Sequence, residues 1–139
     1  MFVVVYRPPG PYSEFLSEFS EFLSQVVLST DKVIVVGDFH IHIDVENDSL
    51  NINFNSIDSI GFSQSVHRPT RFLNHTLDLV LTYGIESEQL TVFPQNPVLS
   101  DHFLITFEFS LLDYCHVLSF VLSCFQVLGS FLSYFFPSL

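Results

Sequence analysis

The stretch Lys32-Val-Ile-Val-Val-Gly-Asp-Phe-His-Ile-His-Ile-Asp44 constrains this chain more than any other. Its first half is a short, β-branched apolar run, which reads as a strand buried on both faces. The run stops at Gly37 and an acid follows at once, Asp38. A carboxylate at the end of a buried strand is held rigidly and loses water on one side. Strand ends are also where loops carry chemistry on a fixed scaffold. The remaining elements are therefore judged by whether they converge on Asp38.

The flanking pattern fits a layered α/β arrangement. Phe2 to Tyr6 is an apolar strand, and Arg7-Pro-Pro-Gly-Pro11 is a rigid turn. Residues 12 to 29 carry a helical stripe of Phe15, Phe19, Phe22 and Val26, widened by Leu16, Leu23 and Val27. Glu14, Glu18 and Glu21 take the wet face, and Ser13 is placed to cap the N-terminus. Val45 to Asn53 is polar and acidic, a surface loop. Phe54, Ile57 and Ile60 predict a short helix stopped by Gly61, with a brief strand over Phe62 to Val66. Strands are predicted over Leu77 to Thr82, over Leu90 to Phe93, and over Phe103 to Phe109, where the apolar residues alternate. Strand, helix, strand at the start and strands thereafter give an α/β (α+β) chain of one domain.

Composition narrows the function classes. The 139 residues have a net charge of -11 and only four basic side chains, Arg7, Lys32, Arg68 and Arg71. Non-specific nucleic-acid binding normally needs the opposite sign, so a grip on a polyanion requires bound metal or a local basic patch. Arg68-Pro-Thr-Arg71 gathers half of the positive charge in one loop. Cys115 and Cys124 form no C-x-x-C pair and no zinc spacing. The N-terminus has no basic region ahead of an apolar one and does not read as a signal peptide.

A compositional break falls near Asp113. Residues 114–139 contain no Asp, Glu, Lys or Arg. The expected division is therefore 1–112 as the domain and 113–139 as an apolar tail. The tail is long enough for a helix that spans a bilayer, which needs about 20 apolar residues, and membrane contact is expected through 114–136. The competing reading of the tail is non-native sequence beyond the true domain end.

Four features can supply chemistry: Tyr6 beside its proline turn, Asp38 with His40, Asp78 inside a buried strand, and Asp101 with His102. A buried carboxylate such as Asp78 needs a partner or a metal. Its plain structural reading is an acid hydrogen-bonded to a neighbouring loop. A histidine is readily poised near neutral pH, and a carboxylate elsewhere in the fold can fix its tautomer.

In this order, Tyr6-Arg-Pro-Pro9, Val36-Gly-Asp-Phe39, Leu77-Asp-Leu-Val-Leu-Thr82 and Ser100-Asp-His102 resemble the endonuclease/exonuclease/phosphatase superfamily (DNase I-like). They look closest to the endonuclease domain of LINE-type non-LTR retrotransposons. The resemblance covers roughly residues 2 to 110. It implies a partial four-layered αββα sandwich, with the tail as an added apolar C-terminal helix. It implies phosphodiester hydrolysis that nicks DNA with Mg²⁺. By it, Asp38 activates the attacking water, His102 contacts the scissile phosphate, and Asp78 orients His102. Asp101 stands beside the metal, Tyr6 lies near the phosphate, and Thr70 contacts it. A working enzyme of this kind would act in the nucleus, whereas an inserted tail would place the chain at a membrane.

Two departures from the family pattern lower the expected activity. The motif Gly-Asp-Phe-Asn has His40 in its last place. The metal-binding Glu and an early Asn of the family would lie before Tyr6, and the chain starts after them. The expectation is an N-terminally truncated endonuclease relic, weakly active or inactive. A non-enzymatic alternative puts Asp38, His40, His42 and Asp44 on one face of an extended segment as a transition-metal site. Another makes the chain a membrane-associated fragment.

Overall fold

A computed structural model of the protein describes residues 1–41, 55–94 and 100–110, and the backbone of 117–122. The elements in order are β1 (Phe2–Tyr6), α1 (Ser13–Val26), β2 (Val33–Asp38), a short helix over 55–60, β3 (Ser63–Gln64), β4 (Asp78–Tyr83), β5 (Glu88–Phe93), β6 (Leu104–Ser110) and β7 (Val117–Leu122). They make a mixed α+β fold with two sheets. The first has the order β1-β2-β4-β3, and the second has the order β5-β6-β7.

β1 and β2 run parallel, joined by the α1 crossover, and β4 runs antiparallel to β2. That puts β2 inside the first sheet, buried along its whole length as its apolar run predicts. Its two faces serve different cores. Val33, Val35 and Phe39 pack under α1 with Leu16, Phe19, Leu23 and Val26. Ile34 and Val36 point the other way, with Val80, onto Ile105, Phe107 and Phe109 of β6. Among the described residues the layers are therefore helix, sheet, sheet. The second sheet covers β2 and β4 but stops short of β1, so Phe2, Val4 and Tyr6 stay exposed on that same face.

Several local expectations shift. Ser13 does not cap α1; it is the first helical residue, Tyr12 occupies the cap position, and no side chain bonds there. The buried stripe is Leu16, Phe19, Leu23 and Val26, because Phe22 sits at its edge and is largely exposed. The helix at 55–60 ends as predicted, with Gly61 at φ 102° and its N–H donated to the Asp58 carbonyl. β6 alternates as expected, with Ile105, Phe107 and Phe109 facing inward.

The tail departs most. Residues 117–122 are a strand paired antiparallel with β6, not part of a helix. The segment, Val-Leu-Ser-Phe-Val-Leu, is rich in residues that favour strands, which suits the edge that β6 offers. The rest of the expected membrane-compatible segment lies outside the described residues. Among those described, no helix is long and apolar enough to cross a membrane.

Candidate functional site

Asp38 closes β2 and Asp78 opens β4, and the two are direct partners in the antiparallel ladder. Residues so paired project to the same face. Here that face is the one turned toward the second sheet. His102 lies just before β6, so its ring enters the same gap from the opposite sheet. Three stretches far apart in sequence thus meet at one end of the inter-sheet core. Asp38, Asp78 and His102 are all buried, and one donor atom from each lies within 4.8 Å of the others. Such a cluster can hold a metal ion.

Gly37 makes this placement feasible. Its φ is 157°, and a Cβ there would stand 1.8 Å from the Val5 carbonyl oxygen of β1. Only glycine lets the two backbones approach so closely just before the acid.

The His102 ring is fixed from behind. Its Nδ1 is 2.9 Å from one Asp78 carboxylate oxygen and 3.2 Å from the other. An Nδ1–H donated to Asp78 leaves the Nε2 edge facing Asp38 Oδ2 across 3.9 Å, too far for a hydrogen bond. The Asp78 hydrogen bond raises the His102 pKa; burial opposes it, and the charges of Asp78, Asp38 and Asp101 add to the rise. Asp38 is also raised, by burial first and then by the charge of Asp78, against the lowering pull of His40 and His102. A carboxylate that keeps its proton more readily is a better base once ionised.

His40 joins the site by an unexpected route. Its φ is 47°, so the extended chain ends before it and strand alternation does not carry its side chain. Asp38 Oδ1 accepts the His40 backbone N–H at 3.1 Å, and this turn brings Nδ1 to 2.9 Å from the same oxygen. The contact is off the hydrogen-bond line, and among the described residues the buried Nδ1 has no hydrogen-bond partner. His42 and Asp44, invoked for an extended-face metal site, lie outside the described residues.

Arg7 holds this turn in place, a role the sequence did not reveal. Its buried guanidinium donates to the carbonyls of Phe39 at 3.0 Å, His40 at 3.1 Å, Pro11 at 2.8 Å and also Gly10. Its backbone N–H donates to Asp38 O at 2.9 Å, and its charge lies over the Phe15 ring. An arginine directly after a strand and inside a proline turn was the available signal.

Other anticipated residues lie apart from the cluster. Thr70 is fully buried, and its hydroxyl oxygen accepts the N–H groups of Leu77 and Asp78 at 3.0 and 3.1 Å. It positions Asp78 rather than facing the opening. Asp101 is paired with Arg71 and is not in the cluster. Burial works against its charge, but the Arg71 hydrogen bond and charge prevail and lower its pKa. Tyr6 is the ladder partner of Asp38 across β1, yet it is 73% exposed and stands at the rim. Next to the site, Arg68, Arg71, Phe72, Leu73 and Phe103 contribute to an open cavity of about 330 Å³.

Comparison with protein-family models finds no match for this chain, and comparison with curated proteins finds none.

Proposed function

We propose that the chain carries a phosphodiester-hydrolysing site of the DNase I-like kind, derived from a retrotransposon endonuclease and acting slowly on DNA. One observation carries the reading: Asp38, Asp78 and His102, the residues the resemblance assigns to water activation, histidine orientation and phosphate contact, meet in a single buried cluster.

The geometry supports the following roles. Ionised Asp38 accepts a proton from water at the mouth of the gap. Protonated His102, held by Asp78, places positive charge where the phosphoryl oxygens gain negative charge. The rate then rises as pH passes the raised pKa of Asp38 and falls as it passes the raised pKa of His102. Arg68, and Arg71 once a phosphate competes for it with Asp101, would form with Phe72 and Phe103 the local basic and aromatic patch that an acidic chain needs to approach a nucleic acid.

The Mg²⁺ implied by the resemblance fits these donors poorly. Mg²⁺ demands a near-octahedral shell of oxygens. Among the described residues, Asp78 is turned to His102 and Asp101 to Arg71, leaving Asp38 flanked by two imidazoles. This mismatch and the replacement of the motif's amide by His40 are the reasons for low activity.

The test is nicking of supercoiled plasmid with Mg²⁺, Mn²⁺ or Zn²⁺ supplied in turn. The expected result is slow formation of open circles, abolished in Asp38→Asn and His102→Ala and accelerated in His40→Asn. If folded wild-type protein and folded His40→Asn both fail to nick or retain DNA under every ion, the reading is wrong.

A further inference from the structure

We infer that Asp38, His40 and His102 form a three-ligand site selective for a borderline transition cation of the Zn²⁺ class over Mg²⁺. The inference concerns the same cluster as the proposed function but does not need the chain to hydrolyse anything. It starts from two imidazole nitrogens turned toward one carboxylate, neither of them hydrogen-bonded to it.

The first is His40 Nδ1, buried, without a hydrogen-bond partner among the described residues, and 2.9 Å from Asp38 Oδ1. A buried polar nitrogen left unpaired is costly, and each such atom in a folded protein calls for an explanation. The second is His102 Nε2, in a residue only 5% exposed, 3.9 Å from Asp38 Oδ2. In the neutral ring, with Nδ1–H given to Asp78, Nε2 presents a lone pair to a carboxylate that also presents lone pairs, and a bound cation in place of a proton relieves that repulsion.

A divalent ion meets this need on geometric grounds. Ligand atoms about 2.0–2.1 Å from a tetrahedral Zn²⁺ lie about 3.3 Å from each other. The observed separations, 2.9 Å from His40 Nδ1 to one Asp38 oxygen and 3.9 Å from His102 Nε2 to the other, lie on either side of that value, and His40 stands outside the group of donor atoms within 4.8 Å of one another, so it must move in to bind. The two imidazole rings are 6.2 Å apart, against about 5 Å for two rings on one tetrahedral ion, so His40 closes by about 1 Å on binding. His40 is at the rim, with a side chain 17% exposed, and is the ligand with room to move.

The surroundings match a metal-binding histidine. A ligating imidazole characteristically donates its other N–H to a carboxylate, which sets the tautomer and strengthens the ligand. Asp78 does this for His102 with both oxygens in reach. Arg7 holds the backbone of Phe39 and His40 from the opposite side. Two imidazoles and one carboxylate are a donor set that favours Zn²⁺, Co²⁺ or Ni²⁺ and disfavours Mg²⁺.

The experiment is titration of the full chain with Co²⁺, Zn²⁺ or Mg²⁺ salts alone, in wild type, His40→Asn and a Cys115→Ser/Cys124→Ser double variant. Co²⁺ absorption reports the ligand set, and calorimetry gives affinity. The expected result is one saturable Zn²⁺ site, a four-coordinate Co²⁺ spectrum without thiolate charge transfer, and no saturable Mg²⁺ site. His40→Asn weakens Zn²⁺ by about 100-fold or more, the upper range for losing even a supporting contact, and the double variant binds as wild type does. Circular dichroism of the metal-free variants checks that each is folded. Should His40→Asn misfold, His40→Gln takes its place. Equal Zn²⁺ affinity in wild type and the folded His40 variant overturns the inference, as do a thiolate band lost with the cysteines or saturable Mg²⁺ binding as tight as Zn²⁺ binding. Nicking separates the two conclusions. Mg²⁺-dependent nicking without Zn²⁺ binding sinks this inference alone, whereas Zn²⁺ binding without nicking under any ion sinks the proposed function alone.

Discussion

Replacing Asp78 by Ala should change how stability depends on pH, not only lower it. In the wild type the His102 pKa is raised in the folded state, chiefly by its hydrogen bond to Asp78. A raised histidine stabilises the fold fully below its unfolded value of about 6.5, and the stabilisation is lost as pH rises through the folded value. The partners are a carboxylate 1% exposed and an imidazole 5% exposed, so solvent screens them little. Removing one member of a buried, hydrogen-bonded charge pair costs about 3–5 kcal/mol. The charge of Asp78 also pushes Asp38 upward, so its removal gives some stability back, and the lower end, about 3 kcal/mol, is expected below pH 6.5. Above the folded His102 pKa the bond lost runs from a neutral imidazole to a carboxylate, about 1.5 kcal/mol at the lower end for a charged acceptor. Asp78→Asn keeps an acceptor for Nδ1–H and should fall between wild type and Ala. Urea unfolding across pH 5 to 9, with the His102 ring followed by NMR, measures both effects. The upward shift of Asp38 should shrink but persist, since the charge of Asp78 is gone while burial, its largest cause, remains. Parallel stability curves for wild type and Asp78→Ala, or an unmoved His102 titration, would refute the reasoning.

Three further outcomes follow from single contacts. Gly37→Ala puts a methyl 1.8 Å from the Val5 carbonyl and should separate β1 from β2, read as loss of the cooperative thermal transition, while Val5→Ala should be far milder. Thr70→Val leaves the N–H groups of Leu77 and Asp78 without their acceptor and should cost about 1–3 kcal/mol in urea unfolding, with Thr70→Ser restoring most of it. Arg7→Lys keeps the charge but cannot reach four carbonyls at once, so it should lower the thermal midpoint and loosen the Asp38–His40 turn, seen as faster amide exchange at His40.

The sequence alone determined the buried strand ending in Asp38, the amphipathic helix before it, the alternation along β6 and the glycine stop after 55–60. These are periodic or punctuated signals, and their physical cause lies within a few residues. It also supplied Asp38, Asp78 and His102 as the residues to bring together, through the order of motifs that the resemblance rests on and their places at or near predicted strand ends. Tertiary structure decided what each polar group actually touches. Arg71 pairs with Asp101, Thr70 turns its hydroxyl to the backbone of β4, and Arg7 binds carbonyls on both sides of a turn. His40 reaches Asp38 through a left-handed backbone that no strand pattern foretells. The stretch Val117–Leu122, apolar enough for a helix, is a strand because β6 offers it an unpaired edge. An apolar run states how much surface must be buried. Which hydrogen-bonding partner is left open, and from which side, is known only once the sheets have assembled.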